Sequence, residues 1–301
     1  MRGVTDNEAT RAIPIFGFSI QSSELVKVVM VLYIAKVIED RKYETFRDFT
    51  IYLIIPIAIL MLLLLWGSVS AALLLAGTAL IILFIAGISF KFLFRMVGIY
   101  FAGLVLIVAL ALPISHIFPS SNFFPRKDTA KARVLSWVGK GGKEDSEKKR
   151  DTYQADQAKI AIASGGLLGR GPGNSTQRYV LPKAYHDFIY AIIVEEYGIW
   201  GGGAVLILFL WFFFRCYLIA KRCTRPFSSL LVIGLGLLIV LQAMLHISVN
   251  VGLLPVTGQP LPLISKGGTS FVAVSIAFGM ILAVSRTLEK TEIKEIGGEM
   301  R

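Results

Sequence analysis

The chain is 301 residues long, 55% apolar and only 17% charged, with a mean hydropathy of +0.68. That balance excludes a soluble globular domain and places the chain in a bilayer. Its net charge of +11 then belongs to loops and to the water-facing ends of membrane segments, and no nucleic-acid partner is expected.

Seven apolar blocks approach the roughly 20 residues that a helix needs to cross a hydrocarbon core. They cover 20–38, 50–66, 69–88, 96–115, 198–221, 228–250 and 268–286. The expected fold class is therefore all-α: a polytopic integral membrane protein of about seven helices forming one domain, 1–301. Trp66, Gly67 and Ser68 divide the second block from the third. A tight hairpin is expected there, because one unbroken helix would overshoot the bilayer.

Basic residues in short loops mark the cytoplasmic side. Here they are Arg41, Lys42 and Arg47, then Lys91 and Arg95, then Lys221, Arg222 and Arg225, and in the tail Arg286, Lys290 and Lys294. This puts the N-terminus, the turn at Gly67, a large loop over 116–197 and the loop Pro255 to Gly268 outside, with a cytoplasmic tail at 287–301. The first dozen residues are polar, with Asp6, Glu8 and Arg11, so no cleavable signal peptide is expected. Cys216 and Cys223 lie about 10 Å apart along one helix, too far to bridge.

Within the large loop, the charged stretch Gly139 to Arg150 reads as mobile. Thr152 to Ser164 reads as a short amphipathic helix ended by Gly165 and Gly166. Gly169, Gly171 and Gly173 then alternate around Arg170 and Pro172. Such a run forms either an anion-holding nest of amides or a plain tight turn requiring positive φ. In the second loop, Pro255, Pro260 and Pro262 rule out a regular helix. Irregular apolar backbone at membrane depth must be covered, so this loop is expected to fold back on the large one, bringing Lys266 with it.

Asp187, between His186 and the apolar Phe188-Ile189-Tyr190, is either a partly desolvated general base or a helix N-cap. Glu195 and Glu196 follow at the entry to the next membrane helix, where a loop Arg or Lys would partner them. Glu24 and Lys27 share a helix face. They mark a functional cavity or snorkel to water. His246, with Gln242 and Asn250 on the same face, reads as a helix–helix contact. No zinc spacing, Walker loop, kinase set or serine elbow is present.

Four segments, QSSELVK from Gln21, YQADQAKIAIASGGLLGRGPGNSTQR from Tyr153, LPKAYHDFIYAIIVEEYG from Leu181 and GLLPVTGQPLPLISKGGTS from Gly252, resemble the SEDS family of RodA and FtsW. That resemblance implies a glycosyltransferase of the bacterial cytoplasmic membrane that polymerises lipid II into peptidoglycan. It implies Asp187 as the catalytic residue, with Glu24 and Lys27 lining a central cavity and Gln177 and Arg178 just upstream of the aspartate. Arg170, Arg178, Lys27 or a divalent ion, Mg or Mn, would hold the leaving pyrophosphate, and Lys266 would join the substrate-binding set.

The family pattern has ten helices, and this chain starts just before the fourth, with Arg11 and Ala12 where an Arg-Trp pair is usual. Ser22, His246 and Lys266 also depart from it, standing where proline, asparagine and tyrosine are common. A class B penicillin-binding protein and other division or elongation proteins are the implied partners. PVTG at Pro255 leans toward RodA, while ISKGGTS leaves FtsW open. A lipid II flippase or a non-catalytic scaffold are the alternative functions.

Overall fold

The structure, a computed structural model, describes the main chain of residues 4–6, 9–15, 18–20, 22–40, 43–117, 146–181 and 184–299. Side chains are described for 23–40, 43–65, 68–103, 153–181 and 185–289. Three short strands, β1 (Val4–Asp6), β2 (Ala9–Ile15) and β3 (Phe18–Ile20), form an antiparallel sheet in that order. The sequence did not announce them: β1 and β3 have three residues each, too few to display alternation, and Pro14 within the seven residues of β2 argues against a strand.

Each of the seven apolar blocks is helical. They correspond to α1 (Ser22–Glu39), to α2 (Phe46–Phe49) continuing through a π segment (Thr50–Ile54) into α3 (Ile55–Gly67), and to α4 (Val69–Ile85) and α5 (Phe90–Ile117). After α6 (Ser146–Gly165) and the short α7 (Ala184–Asp187) come α8 (Ile189–Arg222), α9 (Pro226–Asn250) and α10 (Gly268–Glu299). Among the described residues, four helices satisfy both length and apolarity for crossing a membrane: Phe46–Leu65, Ile189–Arg222, Pro226–Asn250 and Gly268–Glu289. α1 carries Glu24, Lys27, Lys36 and Glu39, and α4 has 17 residues.

Local chemistry explains the breaks. Pro56 has no N–H to give Tyr52 O four residues earlier; the π segment precedes it, and Tyr33 Oη donates to Tyr52 O at 2.7 Å. Ser68 adopts an extended conformation and its Oγ accepts from Ala71 N at 3.3 Å. This N-cap starts α4 and makes the expected hairpin.

α9 is the centre of the bundle. Its residues from Leu230 to Val240 are all buried, and it packs against α1, α4, α8 and α10. A helix apolar all round is a core helix. Two boundaries differ from expectation. α6 begins at Ser146, so the last five residues of the stretch read as mobile are helical, while 139–145 lie outside the described residues. α10 continues to Glu299 through most of the predicted tail.

α8 is two helices joined at Gly198, whose φ of 69° and ψ of −167° lie in a region that is essentially glycine-only. A Cβ there would stand 2.2 Å from Leu167 O, and one on Gly169 would stand 2.3 Å from Glu196 O. The glycine-rich loop is thus pressed backbone to backbone against the kink. Gly198→Ala is expected to cost at least about 1–3 kcal/mol from the dihedral alone, before the clash is relieved. A lowered midpoint in thermal unfolding of the detergent-solubilised chain is the check.

Candidate active site

Lys27 lies on α1 with 1% of its side chain exposed, facing Glu24, which is 3% exposed. Its ammonium has three protons to donate and three acceptors: Glu24 Oε1 at 2.8 Å, Gln242 Oε1 at 2.8 Å and Gln259 Oε1 at 3.4 Å. The pair does not snorkel; it is a buried charge satisfied from three directions. A small pocket beside it, with room for about one water molecule, is otherwise lined by apolar residues, Val28, Leu238 and Ile239 among them.

The polar contacts continue in steps from Lys27. Gln242 Nε2 donates to Pro260 O at 3.1 Å, and His246 Nδ1 lies 2.8 Å from Gln259 O. A carbonyl only accepts, so Nδ1 carries the hydrogen. Asn250 donates to His246 O at 2.9 Å and to Asp187 O at 3.3 Å, and its Oδ1 accepts from Ala191 N at 3.1 Å. One face of α9 therefore links Lys27 to the main chain of the Asp187 turn.

The proline-rich loop does fold back. Ser265 Oγ donates to His186 O at 2.7 Å, and Lys266 N donates to Tyr185 O at 2.9 Å. Asp187 ends α7 with a quarter of its side chain exposed, and His186 Nδ1 lies 3.7 Å from its Oδ1. The N-cap of α8 is Phe188, and no side chain caps it. The capping alternative for Asp187 is thus not what the structure shows. Lys266 is exposed beside this turn.

Arg170, Gln177 and Arg178 group separately, around Glu195. This carboxylate, fully buried, accepts from Ser175 Oγ at 2.5 Å, Thr176 Oγ1 at 2.9 Å and Thr176 N at 3.1 Å. Gln177 N at 3.3 Å, Arg170 Nη1 at 3.4 Å and Ser164 Oγ at 3.5 Å complete its shell. Arg178 lays its guanidinium over the Tyr179 ring, 4.5 Å from the centroid, and bonds the phenol oxygen. Of the two readings of the glycine run, the tight turn holds. Gly169, Gly171 and Gly173 all have positive φ, and the amides of Gly169, Arg170 and Gly171 donate to Gly165 O, Glu195 O and Glu196 O. Those amides are not free for an anion.

Sequence reasoning did not single out Gln259, and held Glu195 only as secondary. The signal for Gln259 was a lone amide among prolines in an apolar run. Among the described residues, no three His, Cys, Asp or Glu side chains converge as a metal site.

A helical bundle with buried charge inside its membrane segments, and a carboxylate turn stitched to its rim, defines a multi-pass membrane protein with an internal polar site. A family model described as cell cycle protein, of the FtsW, RodA and SpoVE type, matches residues 1–290. The chain belongs to that family. It is 33% identical over 302 residues to a probable peptidoglycan glycosyltransferase FtsW of Enterococcus hirae, covering 97% of this chain and 72% of that protein. The likeness to the protein of the same name in Nitrosococcus halophilus is 34% over 292 residues, 94% of this chain and 69% of the other.

Two solved structures share the fold. One, from work on how a peptidoglycan synthase complex coordinates polymerization and crosslinking, has a TM-score of 0.64 at 22% identity and is matched by 95% of this chain over 76% of its own length. The other is the rod shape determining protein RodA of Thermus thermophilus, with a TM-score of 0.59 at 23% identity over 94% of this chain and 71% of that one.

Removing one member of a buried pair strands the other. Lys27→Met is expected to destabilise the solubilised chain by about 3–5 kcal/mol, whereas Glu24→Gln, which leaves Lys27 three amide oxygens to donate to, costs less. Chemical or thermal unfolding of both variants tests the asymmetry; equal losses would show that the ammonium does not depend on Glu24 and the two glutamines in this way.

Proposed function

We propose that this chain is a peptidoglycan glycosyltransferase that polymerises lipid II at the outer face of the cytoplasmic membrane. The observation that carries this reading is the placement of Asp187: its main chain is tied to α9 through Asn250, its neighbours are tied to the proline-rich loop, and its carboxylate stays partly open to solvent. A fixed, half-buried carboxylate suits a base that must meet a sugar hydroxyl arriving from outside.

In the reaction, the 4-hydroxyl of an acceptor GlcNAc attacks the anomeric carbon of the donor sugar. The new C–O bond forms as the anomeric bond to phosphate breaks, the hydroxyl proton passes to Asp187, and undecaprenyl pyrophosphate leaves. Attack opposite the leaving group inverts the anomeric centre and gives a β linkage. Arg178, Lys266 and Arg170 are the cations able to meet the departing phosphates. Lys27 is committed within the bundle, to Glu24, Gln242 and Gln259.

The described residues do not fit a resident divalent ion. Glu24 is committed to Lys27 and Glu195 to six donors, which leaves Asp187 as the one carboxylate of the proposed set for an ion to use. A magnesium or manganese ion would therefore be carried in on substrate phosphates, as such ions favour, and no step is assigned to it. A class B penicillin-binding protein and the division or elongation machinery are the proposed partners. The fold shared with a chain of a peptidoglycan synthase complex supports this.

Asp187→Asn is expected to lower polymerisation of fluorescent lipid II in detergent by about 10²–10⁴-fold, the usual contribution of a positioned base, with the fold retained. A flippase would do nothing measurable in detergent, where there are no leaflets. Unchanged glycan synthesis by the Asn variant removes Asp187 from the chemistry.

A further inference from the structure

Glu195 has no part in the reaction just described, yet it is fully buried and takes six hydrogen bonds from five residues. A buried carboxylate so heavily engaged is a template for the backbone around it. The segment it shapes is 175–178. Its Oε2 accepts from Ser175 Oγ at 2.5 Å and from Gln177 N at 3.3 Å, while Ser175 Oγ in turn accepts from Arg178 N at 3.1 Å. The charge thus reaches the Arg178 backbone through one hydroxyl.

A second observation concerns what that turn presents. Gln177 Oε1 and Arg178 Nε are buried polar atoms without a partner among the described residues, although polar groups so placed are nearly always paired. Adjacent residues thus offer one unused acceptor and one unused donor. The tight turn formed by the glycine run leaves no slack: Arg170 N and Gly171 N are held by the carbonyls of Glu195 and Glu196.

We infer that Glu195 is a positioning residue that fixes the Gln177–Arg178 turn as a binding element for the pyrophosphate of the lipid-linked substrate. The inference rests on the polymerase reading for the identity of that substrate. Glu195 touches no substrate itself. It sets the main chain from which Gln177 and Arg178 extend, so its loss acts on substrate affinity and leaves the turnover step at Asp187 alone.

The test is a double-mutant cycle on the full chain in detergent, reading the Kd for undecaprenyl pyrophosphate together with KM and kcat for lipid II. Glu195→Gln keeps the shape and removes the charge. It is expected to weaken binding and raise KM about tenfold with kcat within about twofold, and Arg178→Gln to weaken binding by at least as much. Combined, they should be no worse than Arg178→Gln alone by more than about twofold, because coupled residues are not additive. Additive losses, or a loss confined to kcat, would overturn the positioning role. If Glu195→Gln does not fold, Ser175→Ala breaks the same link and carries the same cycle. Failure of the polymerase reading looks different: the unaltered chain makes no glycan from lipid II in detergent, whatever the binding arm of the cycle shows.

Discussion

The structure depends on one buried ammonium. Lys27 sits where hydrocarbon would make an unpaired charge prohibitive, so its three acceptors are a condition of folding. They come from three places: Glu24 on the same helix, Gln242 on the central helix α9, and Gln259 in the proline-rich loop. Because Gln242 also holds Pro260 O and His246 holds Gln259 O, the loop has no independent conformation. Satisfying the charge fixes where residues 259 and 260 lie. The loop's far end, at Ser265 and Lys266, then meets the turn that carries Asp187.

A second constraint is independent of the first. Gly198 interrupts α8 so closely to the glycine-rich loop that backbone touches backbone, and Glu195 gathers the following turn. The Lys27 network positions Asp187 from below, through Asn250, while the Glu195 shell positions Gln177 and Arg178 from the side. Both systems end on α8: Asn250 Oδ1 accepts from Ala191 N, four residues before Glu195. A shift of that helix start moves the base and the proposed phosphate-binding turn together.

The fold was largely legible because hydrophobic blocks announce membrane helices directly, and the hairpin at Ser68 and the stop at Gly165 were marked by residues whose chemistry ends or starts helices. The strands before α1 and the early start of α6 carry no such mark. At the site, Glu24, Lys27 and Asp187 were legible as charges in apolar surroundings. What joins them was legible only in part: Gln242, His246 and Asn250 read as one contact face, but not that it reaches Lys27 and the Asp187 turn, and Gln259 is an ordinary residue until the chain folds. The glycine run allowed two readings because positive φ serves a nest and a turn alike; only the destination of its amides separates them.

The acceptors of Lys27 also bear on how the protein is made. Gln242 stands 215 residues after Lys27, so α1 emerges from the ribosome long before its partners exist. Until α9 and the proline-rich loop are synthesised, the Lys27–Glu24 pair has only itself and whatever water reaches it, and a helix carrying two such groups is poorly held by lipid alone. The full set of acceptors for Lys27 therefore exists only once the last third of the chain is present.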